Sequence, residues 1–217
     1  MGICNTKRNG KLHSYDDKPV NKIGFDKYWY EDGIPHRVNG PAKIIWDVEY
    51  YYYNGKYYRE NGPSIVMPDG SEYYIDGNQF KRDDGPAATV IIANTCYNRL
   101  KQPLNDRIFR HSPKLYEVMS KLKLISKPYE MLPGEYVVKY WFKNNRIHRD
   151  NDLPAIESDL CNIWVINGEI HRKNEPAIIY SNNACEFWEN NQQVNLISRY
   201  TPLTTKSARN FIPLNEN

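Results

Sequence analysis

The chain has 217 residues, enough for one medium domain or two small ones. A net charge of +3 is too small to announce a nucleic-acid protein, and no apolar run approaches the roughly 18 residues of a membrane helix. An aromatic share of 13%, led by 18 Tyr, argues against disorder despite a mean hydropathy of −0.77.

The N-terminus reads Met1-Gly2-Ile3-Cys4-Asn5-Thr6-Lys7-Arg8. This fits the myristoylation pattern M-G-x-x-x-[ST], which makes Gly2 a lipidation candidate and Cys4 a second one, by palmitoylation. Two signals are what a stable anchor needs, and Lys7 and Arg8 would add attraction to an anionic surface. The other cysteines are Cys96, Cys161 and Cys185; no C-x-x-C occurs, so neither a zinc site nor a disulfide scaffold is expected. The expected location is cytoplasmic, with membrane association or packaging in a virion as the further options.

One repeat then dominates. A two-residue turn signal recurs as Asn9-Gly10, Asp32-Gly33, Asn54-Gly55, Asp76-Gly77, Asn144-Asn145, Asn167-Gly168 and Asn190-Asn191. The steps are 23, 22, 22, 68, 23 and 23 residues, so an insertion of about two periods follows the fourth unit. Asn-Gly and Asp-Gly tolerate the two positive φ angles of a type I′ hairpin turn, and the flanks are aromatic and β-branched. After each turn comes Asn39-Gly40-Pro41-Ala42 or its equivalent, where proline breaks the ladder and a third short strand follows. The expected fold is mainly β: an antiparallel β-hairpin array, a meander or elongated solenoid of about seven units, with one inserted helix. Repeats 1–4 fill 1–95, a helical insertion 96–135, repeats 5–7 fill 136–196, and 197–217 is an extended or disordered tail.

A two-residue loop at 32–33 sets Trp29 opposite His36 and Tyr28 opposite Arg37. Carried along the chain, this register predicts a structural ladder of Trp29, Tyr51, Tyr73, Trp141 and Trp164 on one buried face. Their partners there are His36, Tyr58, Phe80, His148 and His171. Arg37, Arg59, Lys81, Arg149 and Arg172 are expected on the opposite face, as a candidate interaction strip. In the insertion, Ser112 as N-cap and Pro113 at the first helical position open a helix over 113–126.

The unit aromatic-x-x-x-G-x-x-H-R-x-x-G-P-A resembles membrane occupation and recognition nexus (MORN) repeats. It is closer still to a variant found in proteins of large DNA viruses and phages. Gly33, His36, Arg37, Gly40, Pro41 and Ala42, with Gly168, His171, Arg172, Pro176 and Ala177, carry the resemblance best. The usual MORN glycine spacing is absent. The resemblance implies hairpin repeats with partner or lipid binding, and extends the partners to other virion proteins.

Catalytic chemistry has little footing in the sequence. The repeat histidines each hold the same unit position, so neighbours lie roughly 10 Å apart, too far to share a metal. His111 beside Ser112, with Asp106, is the one conceivable hydrolytic cluster, and no nucleophile motif supports it. No catalytic residue, metal or cofactor is assigned. The expected function is a non-enzymatic scaffold for protein–protein interaction. The alternatives are a module binding an anionic membrane surface and a hydrolase with its site in the insertion. Nucleic acid is not an expected partner.

Overall fold

The computed structural model describes residues 6–93, 98–122, 124 and 134–194. Gly2, Cys4, Cys96 and the tail lie outside them.

The molecule is an antiparallel hairpin array, as the repeat requires. Among the described residues twelve strands form one sheet in which each pairs with the next sheet strand along the chain, from Asn21–Ile23 at one edge to Cys185–Glu186 at the other. Seven two-stranded hairpins stand beside this sheet, one per unit, among them Tyr30–Glu31 with Ile34–Pro35 and Val165–Ile166 with Glu169–Ile170.

The joint between the two layers is the ladder aromatic. Trp29 lies between strand Asp26–Tyr28 of the large sheet and strand Tyr30–Glu31 of the hairpin. Its N–H donates to Ala42 (2.8 Å) on the sheet side, and its carbonyl accepts from the His36 N–H (3.2 Å) on the hairpin side. The same two bonds form at Tyr51, Tyr74, Trp141 and Trp164. The accepting residue is Ala42, Ser64, Ala87, Ala155 or Ala177, each at most 1% exposed. No room is left there for a larger side chain, which explains the alanine of the motif.

Six hairpin tips have positive φ at both central residues, for example Asp32 (49°) and Gly33 (85°), as type I′ demands. The fourth tip differs from expectation. Its strands pair Asp76 with Gln79, so the turn is Gly77-Asn78 rather than Asp76-Gly77. Only Gly77 has positive φ (58°), the pattern of a type II′ turn, which wants Gly at its first central position. Every ladder position in that unit therefore shifts by one residue.

Successive hairpins are stitched together. The N–H of Gly33 donates to Leu12 (2.7 Å), Gly55 to Pro35 (2.9 Å), Gly77 to Tyr57 (2.8 Å), Gly168 to Ile147 (2.9 Å) and Asn191 to Ile170 (3.0 Å).

The insertion sits between the paired strands Ala88–Ile92 and Tyr136–Tyr140. Its described residues hold two helices rather than one: α1 (Asn98–Ile108) and α2 (Pro113–Lys121). Helix α1 carries an internal Pro103, whose missing N–H costs one helical bond. Helix α2 stops short of the expected 126. Ser112 stands at its N-cap without a side-chain cap bond.

The helices lie across the hairpin row. Arg107 reaches the rings of Tyr57 (5.6 Å) and Phe80 (5.7 Å), and Lys114 reaches Trp188 (5.9 Å). Gly168 permits this approach: a Cβ there would stand 2.6 Å from Ser112 Oγ, at a φ of +89°. The result is one core running from Val48 to Trp188, with Phe109, Leu115 and Met119 from the insertion packed among Tyr140, Ile147 and Ile170. Lys101 of α1 is wholly buried and donates from Nζ to Asp69 Oδ2 (2.5 Å) and the Ile91 carbonyl (2.5 Å), pinning the insertion to a sheet turn.

Candidate functional site

The repeated His, Arg and aromatic side chains form the most organised surface of the molecule. Its geometry differs from simple strand alternation. Strand Ile34–Pro35 ends before His36, so alternation does not govern Arg37. The chain turns back, and the Arg37 guanidinium comes to rest 3.9 Å from the Trp29 ring centre. Arg59 does the same over Tyr51 (3.9 Å), Arg149 over Trp141 (3.9 Å) and Arg172 over Trp164 (4.0 Å). The arginines thus stack on the ladder instead of occupying the opposite face.

The ladder itself is less buried than expected. Trp29 is buried, but Tyr51, Trp141 and Trp164 are partly exposed. In the fourth unit the ladder residue is Tyr74, and Arg82 stacks on it at 4.2 Å. Tyr73 belongs to the large sheet and is fully buried, Phe80 stacks on Phe142 (4.6 Å), and exposed Lys81 is not in the row.

Four arginines also donate an Nη1 hydrogen to the proline carbonyl of their own unit: Arg37 to Pro41, Arg59 to Pro63 and Arg172 to Pro176, all at 3.3 Å, and Arg149 to Pro154 at 3.1 Å. A Cβ on Gly40 would sit 3.0 Å from Arg37 Nη1, at a φ of +155°. That is why glycine precedes proline there.

The arginines reach carboxylates too. Arg37 donates from Nε and Nη2 to both oxygens of Asp17 (2.8 and 2.8 Å), and Arg172 likewise to Asp152 (2.9 and 2.7 Å). In both places the indole N–H of the stacked tryptophan donates to the main-chain carbonyl of the same aspartate, at 2.9 Å. The Arg donors hold Asp17 and Asp152 below the usual carboxylate range. Arg82 pairs with Asp84 (2.8 Å) and Arg149 with Glu157 (2.6 Å). The strip is therefore a row of stacked, mostly neutralised arginines. Among the described residues only Arg59 of this row has no carboxylate partner.

The histidines face the next unit. His148 Nδ1 accepts the N–H of Asn167 (3.0 Å), His171 that of Asn190 (3.3 Å) and His13 that of Asp32 (3.3 Å), while His36 Nδ1 meets both the N–H (3.2 Å) and the side-chain Oδ1 (2.8 Å) of Asn54. His148 Nε2 donates to Asp150 Oδ1 (3.0 Å), which fixes the tautomer. A tight turn leaves its first N–H pointing outward, and each imidazole caps that donor from the unit before. His36 and His148 do not stack on Trp29 and Trp141; His36 lies instead against Tyr53, with ring centres 4.7 Å apart.

The chain matches no family model, no curated protein and no solved structure. The site must be read from its chemistry.

The hydrolytic cluster does not assemble. His111 is exposed, Ser112 Oγ is buried without a hydrogen-bond partner among the described residues, and Asp106 pairs with Gln102 (3.1 Å). No group of three metal-ligating side chains occurs among the described residues.

Sequence reasoning missed Asp17 and Asp152. Their signal was present: Asp17-Lys18-Pro19 and Asp152-Leu153-Pro154 both close linkers one residue longer than Arg37-Val38-Asn39-Gly40-Pro41. The extra residue accommodates two consecutive left-handed residues, Asp16 (53°) with Asp17 (53°) and Asn151 (62°) with Asp152 (53°).

Proposed function

We propose that the chain is a non-enzymatic repeat scaffold that presents protein-binding surfaces. The observation that carries this reading is the distribution of uncovered apolar side chains. Among the described residues, seven of the nine exposed large apolar side chains, Tyr15, Phe25, Ile34, Val38, Trp46, Tyr53 and Tyr58, fall between 15 and 58; Leu153 and Ile166 are the other two. Phe25 is 90% exposed and Trp46 57%. They occupy adjacent tips of the large sheet, between Ile23 and Asp26 and between Ile45 and Val48. Two strand spacings place such tips about 10 Å apart. The inserted helices reach the hairpin row from Tyr57 to Trp188, and among the described residues they leave this end uncovered. Bare aromatic clusters of this kind mark recognition surfaces.

The engaged His and Arg side chains support the same reading, since they hold unit to unit. The resemblance to hairpin repeats of large DNA viruses and phages extends it to other virion proteins as partners. An anionic membrane surface is the competing partner.

Chemical cross-linking in a lysate of the native source, read by mass spectrometry, tests the proposal with wild type and a Phe25→Ser/Trp46→Ser variant. The wild type should capture a defined protein that the folded variant loses. Equal capture by both would remove this surface from the account. Variant-sensitive sedimentation with phosphatidylserine vesicles, and no protein captured, would replace it with the membrane reading.

A further inference from the structure

The inference rests on the scaffold reading and names what one surface of it recognises. Arg37 and Arg172 show what this repeat does with a free guanidinium edge: Nε and Nη2 grip both oxygens of an aspartate from the unit before. Counting back from the buried Ala42, position 39 is the equivalent of Asp17, and it holds Asn39. Arg59, which should meet a carboxylate there, finds an amide residue instead. Its Nη1 reaches the Pro63 carbonyl and its face covers Tyr51, as in the other units. Its Nε and Nη2 have no partner among the described residues.

The edge opens on a groove of about 490 Å³ between the second and third units. Val38 (73% exposed), Tyr53 (47%) and Tyr58 (45%) line it, with Arg59. Such a groove offers apolar contact around one bidentate cation. Arg37 at its other end is already matched by Asp17, and Glu60 at the rim disfavours a doubly charged phosphate.

The geometry points to the Arg59 groove as a docking site for an extended segment of a partner protein, anchored by an aspartate side chain and flanked by apolar residues. The partner's aspartate supplies in trans what Asp17 supplies in cis one unit earlier. Planar guanidinium and carboxylate match in two parallel bonds, which fixes orientation as well as charge. The tyrosines contribute rigid contact area at little entropic cost.

The segment that fills the preceding unit provides the probe. A capped peptide of sequence Ser-Tyr-Asp-Asp-Lys-Pro-Val, copied from residues 14–20, is titrated into the ¹⁵N-labelled full chain. Saturable shifts of the Arg59 Nε–H and the Tyr58 amide are expected. Replacing the second peptide aspartate by asparagine should weaken binding by at least about tenfold, the loss of a charge-assisted bidentate pair. Arg59→Gln in the protein should do the same. Asn39→Asp, which restores a carboxylate in cis, should also weaken the peptide, and this variant keeps the Arg59–Tyr51 stack that Arg59→Gln disturbs. Absence of saturable shifts at Arg59 overturns the proposal, as does binding indifferent to the peptide aspartate and to both variants. Equal shifts with inorganic phosphate alone would assign the groove to phosphate instead. If the peptide fails while the Phe25/Trp46-dependent capture persists, the scaffold reading stands and only this groove falls.

Discussion

Truncating Trp164 to Ala removes three interactions at once, and their sizes can be set from the geometry. The ring is partly exposed, so its burial is worth about 2 kcal/mol, below the ~3–5 of a fully buried aromatic. The indole N–H bond to the Asp152 carbonyl (2.9 Å) adds about 1 kcal/mol. The Arg172 guanidinium 4.0 Å above the ring adds about 0.5–1 kcal/mol. The expected loss is about 3.5–4 kcal/mol. Trp141 is the internal control. It carries the same stack, with Arg149 at 3.9 Å, but its indole N–H has no partner among the described residues. Trp141→Ala should therefore cost about 1 kcal/mol less. Urea unfolding followed by far-UV circular dichroism measures both. A loss under about 1 kcal/mol at Trp164 would refute the clamp. So would a Trp141 variant that costs as much or more.

Three further outcomes follow from the same geometry. Ser112→Ala should be neutral or stabilising, by up to about 1 kcal/mol, because it removes a buried hydroxyl without a partner and no cap bond is lost; a clear drop in thermal midpoint would contradict this. Asp17 and Asp152 have folded-state pKa values below the unfolded ones, so their contribution is full above the ordinary carboxylate range near ~4 and fades as pH falls through the folded values. A double Asp17→Asn/Asp152→Asn variant should flatten the acid limb of stability against pH, and an unchanged slope would count against the Arg pairs. Burial pushes the Cys161 thiol up to about 11 while Cys185 is exposed, so iodoacetamide at neutral pH should label Cys185 long before Cys161, as read by peptide mass spectrometry; equal labelling of the native chain would place Cys161 at the surface.

The period of the hairpins was legible because turn chemistry is local. Asn-Gly, Asp-Gly and Asn-Asn need only their own φ angles, and six of the seven expected tips fall where those pairs stand. Gly77 was ambiguous for the same local reason: a glycine serves the second place of one turn type and the first place of another, and only the pairing of Asp76 with Gln79 decides. Face assignments failed for a different cause. Alternation describes a residue only while it stays in a strand, and the chain leaves the strand at Pro35, just before the His-Arg pair. Arg37 then answers to the Trp29 ring and to Asp17, 20 residues earlier in sequence. That contact is tertiary, and only the linker length hinted at it. Helix α1 was hidden by Pro103, a strong local breaker that the packing of Leu104 and Ile108 and the buried Lys101–Asp69 pair override.

The repeat histidines and arginines join unit to unit. His148 gives the most direct test, because its ring is held at both nitrogens: Nδ1 by the Asn167 N–H at 3.0 Å and Nε2 by Asp150 at 3.0 Å. Imidazole ¹⁵N spectroscopy at neutral pH should find an Nε2–H tautomer with a bare Nδ1. A scalar coupling across the hydrogen bond should link that Nδ1 to the Asn167 amide nitrogen. A proton on Nδ1, or a freely exchanging ring with no coupling to Asn167, would contradict the claim.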